Sequence, residues 1–210
     1  MFKFSLTNLS ILLTMSIMTL SISSCKEGEK KAAEAPVEEK KGELAGMVKE
    51  TIPGSVLQYA RQMTPHGTIQ IEGFVDGDKK VGQWIEYTQE GDIALVNNYV
   101  NGLLEGTAIR MTYRNQVDLR VNYKQGMMDG SWTAYKFGKV IEQRFYKADK
   151  LEGVAQTYDE RTFKLKQEVV YKDGVLDGYF RYYDEEGNKT LEYQYKNGEK
   201  VSGGIIEPKK

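Results

Sequence analysis

The chain has 210 residues, with 29 Lys and Arg against 30 Asp and Glu, so its charge is nearly balanced. That balance supplies no strong field to draw nucleic acid or an anionic surface, and no nucleic-acid partner is expected. A single cysteine, Cys25, and a single histidine, His66, exclude an internal disulfide and leave too few groups for the usual His-based metal centres or Ser-His and Cys-His catalytic sets.

Met1 to Asn8 forms a short head with one positive charge, Lys3, and Leu9 to Ile22 is apolar apart from Ser and Thr. This run is shorter than the roughly 20 residues a membrane span needs and has the length of a signal-peptide core. It ends at Ile22-Ser23-Ser24-Cys25, which resembles the bacterial lipobox: an aliphatic residue, two small residues, then Cys. The resemblance implies that residues 1–24 are removed and that the Cys25 thiol carries a diacylglyceryl group. Several acyl chains, at about 0.8 kcal/mol per buried methylene, then hold the protein on a membrane. The alternative is an ordinary secretory signal followed by an incidental cysteine. Lys26-Glu27 resembles the charged surface-export signal of Bacteroidetes lipoproteins, which implies the outer membrane and exposure at the cell surface.

Residues 25–50 are rich in Lys, Glu and Ala and poor in bulky apolar side chains. Such a segment buries too little surface to offset its ordering entropy, which predicts a solvated tether. Residues 51–66 form a transition, in which Val56-Leu57-Gln58-Tyr59-Ala60-Arg61 after Pro53 is a candidate short helix.

From residue 67 to residue 204 the chain repeats itself. Gly102-Leu-Leu-Glu-Gly106, Gly126-Met-Met-Asp-Gly130 and Gly174-Val-Leu-Asp-Gly178 share one step, and Asp149 to Gly153 varies it. The closing glycines stand at 82, 106, 130, 153, 178 and 203, with intervals of 24, 24, 23, 25 and 25. Each opens a similar phrase, as in Gly82-Gln-Trp84-Ile-Glu-Tyr87, Gly130-Ser-Trp132-Thr-Ala-Tyr135 and Gly178-Tyr-Phe180-Arg-Tyr-Tyr183. The units opened by Gly106 and Gly153 diverge, carrying Ala108 and Ala155 where the others carry a ring. A mid-unit turn such as Glu186-Gly187-Asn188 follows, then a second strand ending at Tyr99, Tyr123, Tyr146, Tyr171 or Tyr195. Asn-Gly and Asp-Gly after these tyrosines supply the positive φ of tight turns. Each unit therefore reads as a β-hairpin of 23 to 25 residues. One hairpin is marginal alone, and stacked hairpins stabilise one another. The expected fold is all-β, an elongated single-layer meander of stacked hairpins, with residues 205–210 as a tail.

These phrases resemble the MORN (membrane occupation and recognition nexus) repeat, and more closely the variant found in bacterial proteins termed YwqK-type antitoxins. The resemblance covers residues 67–204. It implies protein binding, membrane apposition, assembly or toxin neutralisation.

No phosphate loop, nucleophile elbow or Cys-His cluster is present in the sequence. Asp76-Gly77-Asp78 and Asp184 to Asn188 lack calcium-loop spacing and read as turns. No metal and no cofactor is expected, and no enzymatic activity. The candidate binding residues are Trp84, Tyr87, Trp132, Tyr135, Phe180 and Tyr183, whose rings either brace the sheet or meet a ligand. Regular alternation puts Trp84 and Tyr87 on opposite faces. The expected function is a lipid-anchored, non-catalytic binding or scaffold protein of the bacterial envelope with a protein partner. An antitoxin or immunity-like role and binding of glycan or peptidoglycan are the alternatives.

Overall fold

Short runs of β-branched and aromatic residues, punctuated by Gly, Asn and Asp, become strands along the whole array. The computed structural model describes residues 44–112 and 114–207. Among these are sixteen strands and no helix. The first half comprises β1 (Val48–Thr51), β2 (Gln58–Met63), β3 (Ile69–Asp76), β4 (Lys79–Tyr87), β5 (Ile93–Val100), β6 (Leu103–Leu104), β7 (Gly106–Met111) and β8 (Val117–Lys124). The second comprises β9 (Met127–Lys136), β10 (Lys139–Lys147), β11 (Lys150–Leu151), β12 (Gly153–Tyr158), β13 (Leu165–Lys172), β14 (Val175–Tyr183), β15 (Lys189–Lys196) and β16 (Glu199–Ile205). They form one open sheet in chain order, every pair antiparallel, with β6 and β11 as short offsets beside β5 and β10. The all-β meander of hairpins expected from the repeats is the fold observed.

The array begins earlier than residue 67. The segment Val56–Arg61 makes no helix: Gln58–Met63 is a strand, paired from Gln58↔Val75 to Met63↔Ile69. A helix of so few residues does not repay its nucleation, whereas this strand buries Ala60 completely. Val48–Thr51 pairs with it in turn, so the last residues of the predicted tether belong to the sheet. At the other end β16 includes Ile205, the first residue of the predicted tail. Cys25, the signal segment and most of the tether lie outside the described residues.

Directly opposed residues share a face. On one face the leading strands present, in order, Trp84, Ala108, Trp132, Ala155, Phe180 and Gly203, and the intervening strands present Asn97, Val121, Arg144, Val169 and Tyr193. Large and small alternate strictly along the leading strands. The two units that looked divergent are the small partners in a repeat of two hairpins, which keeps neighbouring rings from overpacking. Trp84 is 1% exposed, and its Nε1–H donates to the Phe74 carbonyl at 3.0 Å. The ring lies so close over Gly73 that a Cβ there would sit 2.3 Å from it. Lys80, also 1% exposed, places its Nζ 4.6 Å from the Trp84 ring centre and 5.1 Å from that of Tyr99. Arg144 covers Trp132 at 4.9 Å, and Tyr193 stacks on Phe180 at 6.4 Å.

The rest of the repeat phrase has its own physical reasons. Each strand-ending tyrosine stands opposite the closing glycine of its hairpin: Tyr99↔Gly82, Tyr123↔Gly106, Tyr146↔Gly130, Tyr171↔Gly153 and Tyr195↔Gly178. The ring supplies contact area where glycine offers none. Asn101 and Gly102 make a tight turn with φ of 52° and 84°. From that turn the Gly102 N–H donates to the Lys80 carbonyl at 2.9 Å. The same bond recurs from Gly126 to Leu104, Asp149 to Met128, Gly174 to Leu151 and Gly198 to Leu176, at 2.8 to 2.9 Å. Each turn is thus tied to the leading strand of the hairpin before it. An acid precedes four of the six closing glycines, Gly106, Gly130, Gly153 and Gly178, and reinforces the tie. Glu105 accepts from the Gln125 N–H at 2.8 Å, Glu152 from that of Asp173 at 2.8 Å, and Asp177 from that of Asn197 at 3.3 Å.

Two substitutions test this packing by chemical denaturation. Gly73→Ala forces the Trp84 ring aside and is expected to cost about 1–3 kcal/mol. Ala108→Trp, which makes the repeat more uniform in sequence, is expected to destabilise by a similar amount, about 1–3 kcal/mol. A gain in stability from Ala108→Trp would contradict the alternation.

Candidate binding surface

The sheet divides the candidate aromatics between its faces and gives them different work. Trp84 and Trp132 are buried, at 1% and 6% exposure, within one cluster that includes Tyr99, Ala108, Val121 and Tyr123. Phe180 is half-buried on that face, 5.3 Å from Tyr182 and 6.3 Å from Tyr195. Tyr87 and Tyr183 lie on the other face, as alternation required for Trp84 and Tyr87. The Tyr87 hydroxyl donates to Glu72 at 2.6 Å, and the Tyr183 hydroxyl to Glu168 at 2.6 Å. Tyr59 donates to Glu72 as well. Tyr135, half-buried, has Arg120 fifteen residues before it, where Tyr87 and Tyr183 have their glutamates, so the Tyr–Glu pair is absent from the middle of the array. The six candidates are not one site.

The second face changes character along the sheet. One row of directly opposed residues runs Val48, Arg61, Glu72, Ile85, Val96, Ile109 and Arg120 in the first half and Thr133, Gln143, Gln156, Glu168, Arg181 and Glu192 in the second, so that its apolar stretch is Ile85 to Ile109 and its longest polar stretch begins at Gln143. In the second half these side chains form a network. Gln156 donates to Glu168 at 2.9 Å and accepts from the Tyr158 hydroxyl at 3.1 Å. The Arg181 Nε–H donates to Glu192 at 2.7 Å, while another guanidinium nitrogen stands 3.9 Å from Glu168. Lys189 reaches Glu192 at 2.5 Å, and the guanidinium carbon of Arg181 lies 3.6 Å from the Tyr179 ring centre. Beside the network, a cleft of about 400 Å³ is lined by Asp159, Thr162, Lys164, Leu165, Tyr183 and Asp184, among others. The Asp159 carboxylate is occupied by its own turn, accepting from the Thr162 N–H at 2.8 Å and the Thr162 hydroxyl at 3.0 Å, which lowers its pKa.

Glu168, Arg181, Glu192 and Gln156 escaped the sequence reading, which favoured rings. Their signal was the position of each on the strand: opposite-charge and amide residues at matching places in successive strands, visible only once the pairing register is known.

The hydrogen bonds of the network shift the ionisation of its members. Hydrogen bonds from Lys189 and Arg181 bring the Glu192 carboxyl down to about 2. Burial, then the bond to Glu168, pushes the Tyr183 hydroxyl up to about 12. For Tyr87 the bond to Glu72 comes first and burial second, with the same result of about 12. Both hydroxyls are therefore donors at neutral pH, not bases. No group of three or more His, Cys, Asp or Glu able to hold a metal occurs among the described residues. No protein-family model matches the chain, and no curated protein matches it.

The network predicts two pH limbs in unfolding experiments. The folded pKa of Glu192 lies below its unfolded value, so its contribution is present above the ordinary carboxylate range and is lost as pH falls towards about 2. The denaturation midpoints of wild type and Glu192→Gln should therefore converge over that acid range. Tyr183 has the opposite sign: its contribution is complete below the ordinary tyrosine value and lost as pH rises through about 12. Tyr183→Phe should flatten the alkaline limb. Parallel curves for wild type and variant would contradict either assignment.

Proposed function

We propose that the chain is a lipid-anchored protein of the bacterial envelope that binds another protein without catalysis, through the polar face of its second half. The single observation behind this reading is the division of labour between the faces. One spends its large rings on internal packing, while the other carries a half-exposed lattice of Gln156, Glu168, Arg181, Tyr183 and Glu192 beside a cleft. Directional polar groups held in register on a rigid sheet favour a specific, hydrogen-bonded partner. The repeat phrase and the hairpin array support the likeness to MORN-type proteins, for which protein binding is the implied role. The burial of Trp84 and Trp132 weighs against a glycan platform built on those rings. Anchorage rests on Ile22-Ser23-Ser24-Cys25.

Two experiments separate anchorage from recognition. With an alkyne palmitate, the wild type is expected to be labelled and to pellet with membranes, and Cys25→Ala to be unlabelled; an unlabelled wild type removes the anchor. A photo-crosslinker placed at Tyr158 in living cells is expected to trap one protein of defined mass. That adduct should be lost when Arg181→Glu is added. An adduct indifferent to Arg181→Glu would argue that the polar face is not the docking surface.

A further inference from the structure

The two margins of the open sheet differ in a way that singles out one of them. Within the sheet, leading strands such as β9 and β14 pair on both sides, whereas β16 pairs only with β15. The opposite margin, β1, is blunted: it has four residues, two of them the charges Lys49 and Glu50, and Pro53 follows. Short, charged strands beside proline are the usual protection of an edge. β16 has seven residues; its charges, Glu199 and Lys200, stand at its start, Val201 to Ile205 carries neither charge nor proline, and Glu207 and Pro208 follow the strand. Val201 is 62% exposed and Ile205 82% exposed. A Cβ on Gly204 would meet nothing within 4 Å, so this stretch admits the close approach of another backbone.

We propose that the chain dimerises by antiparallel pairing of β16 with β16 of a second copy, about a two-fold axis through Ser202. The register follows from the residues. With Ser202 opposite its own copy, Val201 faces Gly203, Lys200 faces Gly204 and Glu199 faces Ile205 of the second copy. All seven residues are matched, no like charges oppose, and each bulky side chain faces a small or flexible one. Gly203 already lies opposite Tyr193, which stacks on Phe180. The second copy's Val201 would therefore extend that apolar row across a residue with no side chain. Pairing β16 with β1 of another copy leaves three of its seven residues unmatched and builds an open chain, whereas the self-paired edge closes after two copies.

The test is analytical ultracentrifugation of the full chain in mild detergent over a range of concentrations, with Ser202→Lys and Ser202→Glu run separately and mixed. The wild type is expected to rise to two copies. Each variant alone is expected to stay single, because like charges meet at the axis. Their equimolar mixture is expected to return to two copies. A wild type that stays single, one that grows past two copies, variants that still pair alone, or a mixture that stays single would each overturn the proposal. Should a charged variant lose its β-sheet circular dichroism, Ser202→Cys decides the matter. Oxidation should then join residue 202 to residue 202, identified by peptide mass, and a failure to do so counts against the dimer.

Discussion

The fold depends on a hydrogen bond that a free hairpin would not make. In an isolated two-residue turn the second N–H faces water. Here it donates to a carbonyl just past the previous turn, five times in succession, from Gly102 to Lys80 through Gly198 to Leu176. The bond converts a string of marginal hairpins into one sheet, because each turn is ordered only when its predecessor is in place. The requirement reaches back into the sequence. The turn residues must place a donor at that point, and the leading strand must leave a carbonyl free beside it. The acid before Gly106, Gly130, Gly153 and Gly178 is useful because the next turn presents a second N–H there, as Glu152 shows with Asp173.

With the turns tied, the remaining question is how a single layer acquires a core. It does so by lying large rings over small residues: Trp84 over Gly73, tyrosines opposite closing glycines, and large and small side chains in alternate leading strands. Among the described residues, ten of the eleven buried apolar ones fall between Ala60 and Trp132, and Val169 lies beyond. The first half of the sheet thus holds most of the apolar burial, and the second half holds a half-exposed ionic and amide lattice on its other face. Most of the apolar burial and the longer polar row therefore lie in different stretches of one continuous sheet. Such a separation lets surface residues of the second half vary with little penalty to packing.

Much of this was legible from residue types alone. The interval between closing glycines, the Asn-Gly and Asp-Gly turns and the tyrosine endings led directly to stacked hairpins, because turn chemistry and strand patterning are local. The helix expected at Val56–Arg61 failed because its fate was set by a partner: Ala60 is a core residue only when Ile69–Asp76 lies beside it. Trp84 and Trp132 stand out in the sequence, yet whether a ring braces or binds depends on what covers it. Lys80 and Arg144, both charged and unremarkable in sequence, provide the covers. The Glu168–Arg181–Glu192 row was hidden for a related reason. Its members lie 13 and 11 residues apart and become neighbours only in the observed register, which bulges between Val169 and Tyr171 help to set.

Native-state amide exchange resolved by residue measures the tie between turns most directly. The N–H groups of Gly102, Gly126, Asp149, Gly174 and Gly198 should be protected to an extent approaching that of the neighbouring strand amides. The N–H groups of the opposite-margin turn residues Glu90 and Glu185, for which the structure shows no such tie, should exchange quickly. Equal, rapid exchange at all of these turn amides would mean that the hairpins are ordered independently, and the account of one cooperatively tied sheet would be wrong.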